Sequence, residues 1–155
     1  MITSRRNFLK NTLSSAIVLI TSTAILSQRV RADWSKTAFT AKNTEEALMA
    51  LFNDSDATVS DKITIISPEI AENGKVVPVE VKVDLPQVES ITLFSEKNPV
   101  PLLAQFNFTG GRAKGWIKTR IKMAETGKVI AVVKADSKLY QASREIKVTV
   151  GGCGG

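Results

Sequence analysis

Between residues 77 and 85 the chain alternates: Val77, Val79, Val81, Val83 and Leu85 are apolar, whereas Glu80, Lys82 and Asp84 between them are charged. A period of two sends the two sets to opposite faces of a strand, one buried and one in water. Pro78 near its start lacks an N–H and predicts an edge position. Further β-rich runs cover residues 62–67, 90–95, 102–108, 116–123, 128–134 and 144–150. Turn signals such as Asn73-Gly74, Asn98-Pro99 and Thr126-Gly127 separate them. In the run from Trp116, the side chains of Ile117, Thr119, Ile121 and Met123 share the inward face, and Lys118, Arg120 and Lys122 form a basic stripe on the other. Such a stripe suits a solvated strand face that discourages edge pairing, or a weak field for small anions or an acidic partner.

One stretch follows a helical period instead. Asn43 can cap it, Glu46 falls three residues later as in a capping box, and Ala47, Leu48, Leu51 and Phe52 supply an apolar face. The polar turn Asn53-Asp54-Ser55-Asp56 ends it. The pattern as a whole predicts a mainly β fold, an immunoglobulin-like β-sandwich of about seven strands with one short N-terminal helix.

Before that helix the sequence reads as an address. Ser4-Arg5-Arg6-Asn7-Phe8-Leu9-Lys10 precedes an uncharged run to Gln28 and a small-residue exit at Val30-Arg31-Ala32. Residues 1–32 are therefore predicted to be a twin-arginine signal peptide, with the mature protein periplasmic. Repeated Ser and Thr make the run a poor membrane span. The segment holds Arg5, Arg6, Lys10, Arg29 and Arg31 and no acidic residue, so the whole-chain charge of +6 falls to 16 basic against 15 acidic residues beyond it. That balance gives no electrostatic case for nucleic acid. Residues 33–150 suffice for a single β-sandwich domain.

The sequence has no histidine and one cysteine. Ser–His and Cys–His catalysis and the usual His/Cys zinc sites are excluded, and no disulfide can close within the chain. The last strand gives way abruptly to Gly151-Gly152-Cys153-Gly154-Gly155. Without Cβ atoms, Gly151, Gly152, Gly154 and Gly155 predict a thin, mobile arm at residues 151–155, which extended would reach about 17 Å. No basic neighbour in the tail activates the Cys153 thiol, so a partner must do so. This arrangement suits a covalent carrier on Cys153, with no catalytic residue, metal or cofactor in the chain. Two other readings stay open on the residues: an exported scaffold or adhesion module tethered by an intermolecular disulfide, and a carrier charged at its terminal Gly154-Gly155 carboxylate. A lipid anchor is excluded by the position of Cys153.

The chain resembles the SoxY family, the sulfur-carrying subunits of SoxYZ complexes. The terminal Gly151-Gly152-Cys153-Gly154-Gly155 is the most specific element. Supporting it are Pro68-Glu69-Ile70-Ala71-Glu72-Asn73-Gly74 with Val76-Val77-Pro78-Val79, the Asn98-Pro99 turn, and Thr119-Arg120-Ile121-Lys122-Met123. Each supporting segment is also explained as a hairpin, a turn or a strand. Residues 110–115 look like a variable insertion. The resemblance implies a heterodimer with a SoxZ-like sandwich and oxidative coupling of thiosulfate to Cys153 by a haem enzyme of the SoxAX type. It also implies release of sulfate by a manganese hydrolase of the SoxB type, with a sulfane dehydrogenase as a further partner. The carrier is then the substrate of these enzymes and not an enzyme itself.

Overall fold

A computed structural model describes residues 35–109 and 114–150. The predicted signal peptide, the Gly110–Ala113 part of the insertion and the terminal arm lie outside the described residues. Two short helices come first: α1 (Lys36–Thr40) and α2 (Thr44–Phe52). Nine strands come after them: β1 (Thr58–Val59), β2 (Ile63–Ile66), β3 (Ile70–Ala71), β4 (Val77–Val83), β5 (Val88–Ser95), β6 (Leu102–Asn107), β7 (Gly115–Ile121), β8 (Gly127–Ala135) and β9 (Lys138–Val148). All seven expected strands are present. The sequence pattern did not show α1 or the two-residue strands β1 and β3.

The strands form two sheets, one ordered β2-β4-β7 and the other β1-β9-β8-β5-β6, with β3 also pairing β9. Between them lies the core, where Val77, Val79 and Val81 of β4 meet Ile91 and Leu93 of β5 and Val129, Ala131 and Val133 of β8. Val77, Val79 and Val81 of β4 are essentially fully buried, each contributing about 1.5–3 kcal/mol, and Val83 is partly buried.

β4 is central, not an edge. It pairs β2 through Ile63↔Val83 to Ile66↔Glu80 and pairs β7 along its whole length. Pro78 is tolerated because β2 has already ended: the last β2 pair is at Glu80, and at Pro78 only Arg120 of β7 stands alongside.

The helices cover the outer face of the large sheet. Ala38 and Ala41 of the α1 region and Ala47 and Leu48 of α2 pack with Phe94, Leu102, Val132 and Leu139. Both faces of β5 and β8 are thereby largely buried, which explains the continuous apolar run at residues 129–133 of β8. Asn43 caps α2 as expected: its Oδ1 accepts from Glu46 N at 2.8 Å. Glu46 reaches back to Lys42 N at 3.0 Å and to Asn43 Nδ2 at 2.9 Å. The helix stops at Asn53, whose φ of 59° is left-handed.

Gly115, read in the sequence as part of an insertion, is the buried first residue of β7. A Cβ there would stand 2.8 Å from Val83 Cβ and 2.9 Å from Val88 Cγ2. Only glycine lets β7 begin against the β4–β5 connection.

Candidate functional site

Cys153 and the four glycines around it lie outside the described residues. The structure does describe the point from which they depart, and that point is tied down on both edges. On one edge β3 runs parallel to the end of β9, with Ile70↔Lys147 and Ala71↔Val148. Lys147 N donates to Glu69 O at 2.9 Å and Thr149 N to Ala71 O at 3.1 Å. The Thr149 hydroxyl donates to Glu72 O at 2.9 Å. Gly74 N then donates to Val150 O at 2.8 Å, so the last residue before Gly151 is held.

On the other edge, β8 starts at Gly127, opposite Ile146, and so has no strand residue to set against the end of β9. Thr126 takes over with its side chain. Val148 N donates to Thr126 Oγ1 at 2.9 Å, and that hydroxyl in turn faces Val148 O at 3.4 Å. A hydroxyl here does what a further strand residue would otherwise do.

The clamp is itself anchored. Met123 N donates to Gly74 O at 2.8 Å, joining the turn after β3 to the chain leaving β7. Asn73 orders that turn by accepting from Lys75 N through its Oδ1 at 2.9 Å. Behind it sits Asn98, buried, which donates through Nδ2 to Lys122 O at 2.9 Å and accepts at Oδ1 from Ala124 N at 2.8 Å and from the Ser95 hydroxyl at 3.1 Å.

The three supporting segments of the sequence resemblance thus converge on the root of the arm. Residues 69–74 grip it, Met123 braces Gly74, and Asn98 braces the residues on either side of Met123. The expected hairpin at Asn73-Gly74 is not one: β3 pairs β9, whereas β4 pairs β2 and β7. Nothing local in the sequence signals this, because the partners are far apart in the chain.

The basic stripe is where the alternation put it. Lys118 and Arg120 are exposed on the outer face of β7, and Lys122 is exposed just past its end. Next to them Trp116 stands 57% exposed, its indole Nε1 donating to Glu80 Oε1 at 3.0 Å. That bond, then the Lys82 ammonium at 3.2 Å, holds the Glu80 carboxyl below its ordinary pKa. Among the described residues no cluster of His, Cys, Asp and Glu could hold a metal ion, and no helix is long and apolar enough to cross a membrane.

The fold is an immunoglobulin-like β-sandwich whose last strand is clamped on both edges, with Val150 still held after it. The family model for the sulfur oxidation protein SoxY matches residues 48–153, well over half of the chain and as far as Cys153. The solved sulfur carrier protein SoxY from Chlorobium limicola f thiosulfatophilum is similar at 40% identity, covering 75% of this chain and 100% of that one, with a TM-score of 0.64. This chain belongs to the SoxY family. A superoxide reductase (neelaredoxin) from Ignicoccus hospitalis, at 22% identity over 59% of this chain and 94% of that one with a TM-score of 0.51, shares the fold alone. A comparison with curated proteins gives no match.

Proposed function

We propose that this protein carries inorganic sulfur covalently on Cys153 during thiosulfate oxidation in the periplasm. The observation that carries the reading is the pairing of family and terminus: a SoxY-family sandwich whose last strand is clamped to Val150 and whose sequence then continues as Gly151-Gly152-Cys153-Gly154-Gly155. A rigid root and a glycine arm let a thiol be offered to several enzymes in turn. The entropy of ordering about five residues, roughly 1–2 kcal/mol each, opposes retention by any one of them.

The chemistry closes without a cofactor in this chain. Coupling thiosulfate to the thiol forms an S–S bond, releases the thiol proton and gives two electrons to a haem partner. Water then cleaves the outer S–S bond of the cysteine S-thiosulfonate, releasing sulfate and leaving a persulfide. Cys153 keeps its own sulfur throughout, and the sulfane sulfur stands one atom beyond it. Export by the twin-arginine route, directed by residues 1–32 as a signal peptide, and pairing with a SoxZ-like subunit belong to the same proposal.

The test is intact-mass analysis of protein from cells oxidising thiosulfate, together with Cys153→Ser in the reconstituted system. Sulfur adducts on Cys153 and loss of thiosulfate-dependent electron transfer in the variant are expected, with fold and subunit pairing unchanged. Full activity in Cys153→Ser, or an adduct on the Gly155 carboxylate, would falsify the reading. Protein lacking any adduct, held only as a disulfide dimer, points instead to the scaffold alternative.

A further inference from the structure

The turn that grips the end of β9 carries a reactive pair of residues. Of the asparagines in the sequence only Asn73 precedes a glycine, and Asn98 precedes a proline, which has no N–H to react. An asparagine deamidates when the backbone nitrogen of the next residue attacks its side-chain carbon, and a following glycine leaves that approach open because it has no Cβ. Asn73 is exposed, so water reaches it, while Gly74 is buried. Four hydrogen bonds fix the pair. Val76 N donates to Asn73 O at 3.2 Å, Lys75 N to Asn73 Oδ1 at 2.9 Å, Met123 N to Gly74 O at 2.8 Å and Gly74 N to Val150 O at 2.8 Å.

Two of these bonds act on the reaction in opposite directions. The Lys75 N–H draws electron density from the Asn73 amide and faces the oxygen on which negative charge grows as Cγ is attacked, so it favours the step. The Val150 carbonyl does the reverse: it keeps the Gly74 N–H protonated and turned toward the end of β9. The electrophile is thus activated, and its nucleophile is restrained by the last residue before Gly151.

We propose that Asn73 is a deamidation site gated by the end of β9. While Val150 O accepts from Gly74 N, the amide persists. When the end of β9 opens, the Gly74 nitrogen loses its proton to solvent, bonds to Asn73 Cγ and expels ammonia, which takes up a proton. Water then opens the succinimide ring at either carbonyl, leaving aspartate or isoaspartate. The sum is asparagine and water giving a carboxylate and ammonium, with no oxidant or reductant. In the isoaspartate product the backbone runs through the side-chain carbon and is one methylene longer before Gly74. Gly74 then no longer meets both Met123 N and Val150 O from its turn, and the new carboxylate stands next to Glu72 in the chain. A reversible opening of the clamp is thereby made permanent. The site needs neither Cys153 nor its cargo, so it stands apart from the sulfur reading.

The test is peptide mass mapping of purified protein held in mildly alkaline buffer, with the two product isomers separated by chromatography. It compares the full chain with a deletion of residues 151–155, which keeps Val150 O, and a deletion of residues 149–155, which removes it. Deamidation at Asn73 should be slow in the first two and about three- to tenfold faster in the third, as loss of one net hydrogen bond allows. Circular dichroism shows that each is folded. Thr149→Val removes only the hydroxyl bond to Glu72 O and keeps the test decisive should the longer deletion unfold. In that variant hydrogen exchange at Gly74 N and deamidation at Asn73 should rise together. The isolated isoaspartate form should also melt below Asn73→Asp, which shares its charge but not its extra methylene. Equal rates in the two folded deletions, a Thr149→Val protein whose deamidation does not rise, or an isoaspartate form as stable as Asn73→Asp overturns the proposal.

Discussion

Asn98 joins two connections that the chain order keeps apart. Its amide spans Lys122 O and Ala124 N, which are 24 and 26 residues away. Replacing it by alanine leaves a partly buried carbonyl and N–H without partners, at about 1–3 kcal/mol. Asn98→Ala should therefore lower the stability read by urea unfolding by about 2 kcal/mol, while Pro99→Ala, one residue on, should cost much less. In the sequence, Asn98-Pro99 shows only a turn, because turn chemistry is local and the amide's partners are not. Thr126 was hidden in the same way. Thr126-Gly127 reads as a turn, yet its hydroxyl pairs the end of β9.

Elements were legible where their period was strong and their neighbours did not matter. The valines of β4 and the capped face of α2 declared themselves. The first half of β9 did not. Asp136 and Ser137, with φ of 49° and 60°, form a two-residue hairpin turn between Ala135 and Lys138 without any glycine to mark it. The turn is held from outside: Glu89 Oε1 accepts from Ser137 N at 2.8 Å, and its other oxygen lies 3.1 Å from Lys134 Nζ. The Ser137 N–H first, and Lys134 second, hold the Glu89 carboxyl below its ordinary pKa of 4.5. A lowered folded pKa means that the latch stabilises the hairpin fully above the unfolded value and is lost as pH falls through the folded one. The stability gap between wild type and Glu89→Gln should thus be constant near neutral pH and should shrink below about 4.5. Urea titrations of both proteins across that range check it, and a gap that instead widens on acidification would contradict the latch. The helices' position could not be read either, since an apolar stripe such as Ala47, Leu48, Leu51 and Phe52 states that it will be buried but not against which sheet.

At the scale of the whole molecule, stability and carrier chemistry should separate at Val150. Among the described residues, the contacts that fix the end of β9 run up to Val150: Lys147 and Thr149 bond residues 69–72, Thr126 bonds Val148, and Gly74 bonds Val150 O. The thiol comes three residues later in the sequence. Removing residues 151–155 should therefore abolish sulfur loading while leaving Tm unchanged. Removing Thr149 and Val150 as well deletes three of those hydrogen bonds, each worth about 0.5–1.5 kcal/mol, and should lower Tm by several degrees. Both truncations lose activity, so only the thermal melts tell them apart. Equal destabilisation by the two would mean that the terminal glycines belong to the folded domain, and the picture of a thiol borne on an arm from a fixed root would fail. A step in Tm that appears only with the longer deletion places the boundary between scaffold and arm where the hydrogen bonds end.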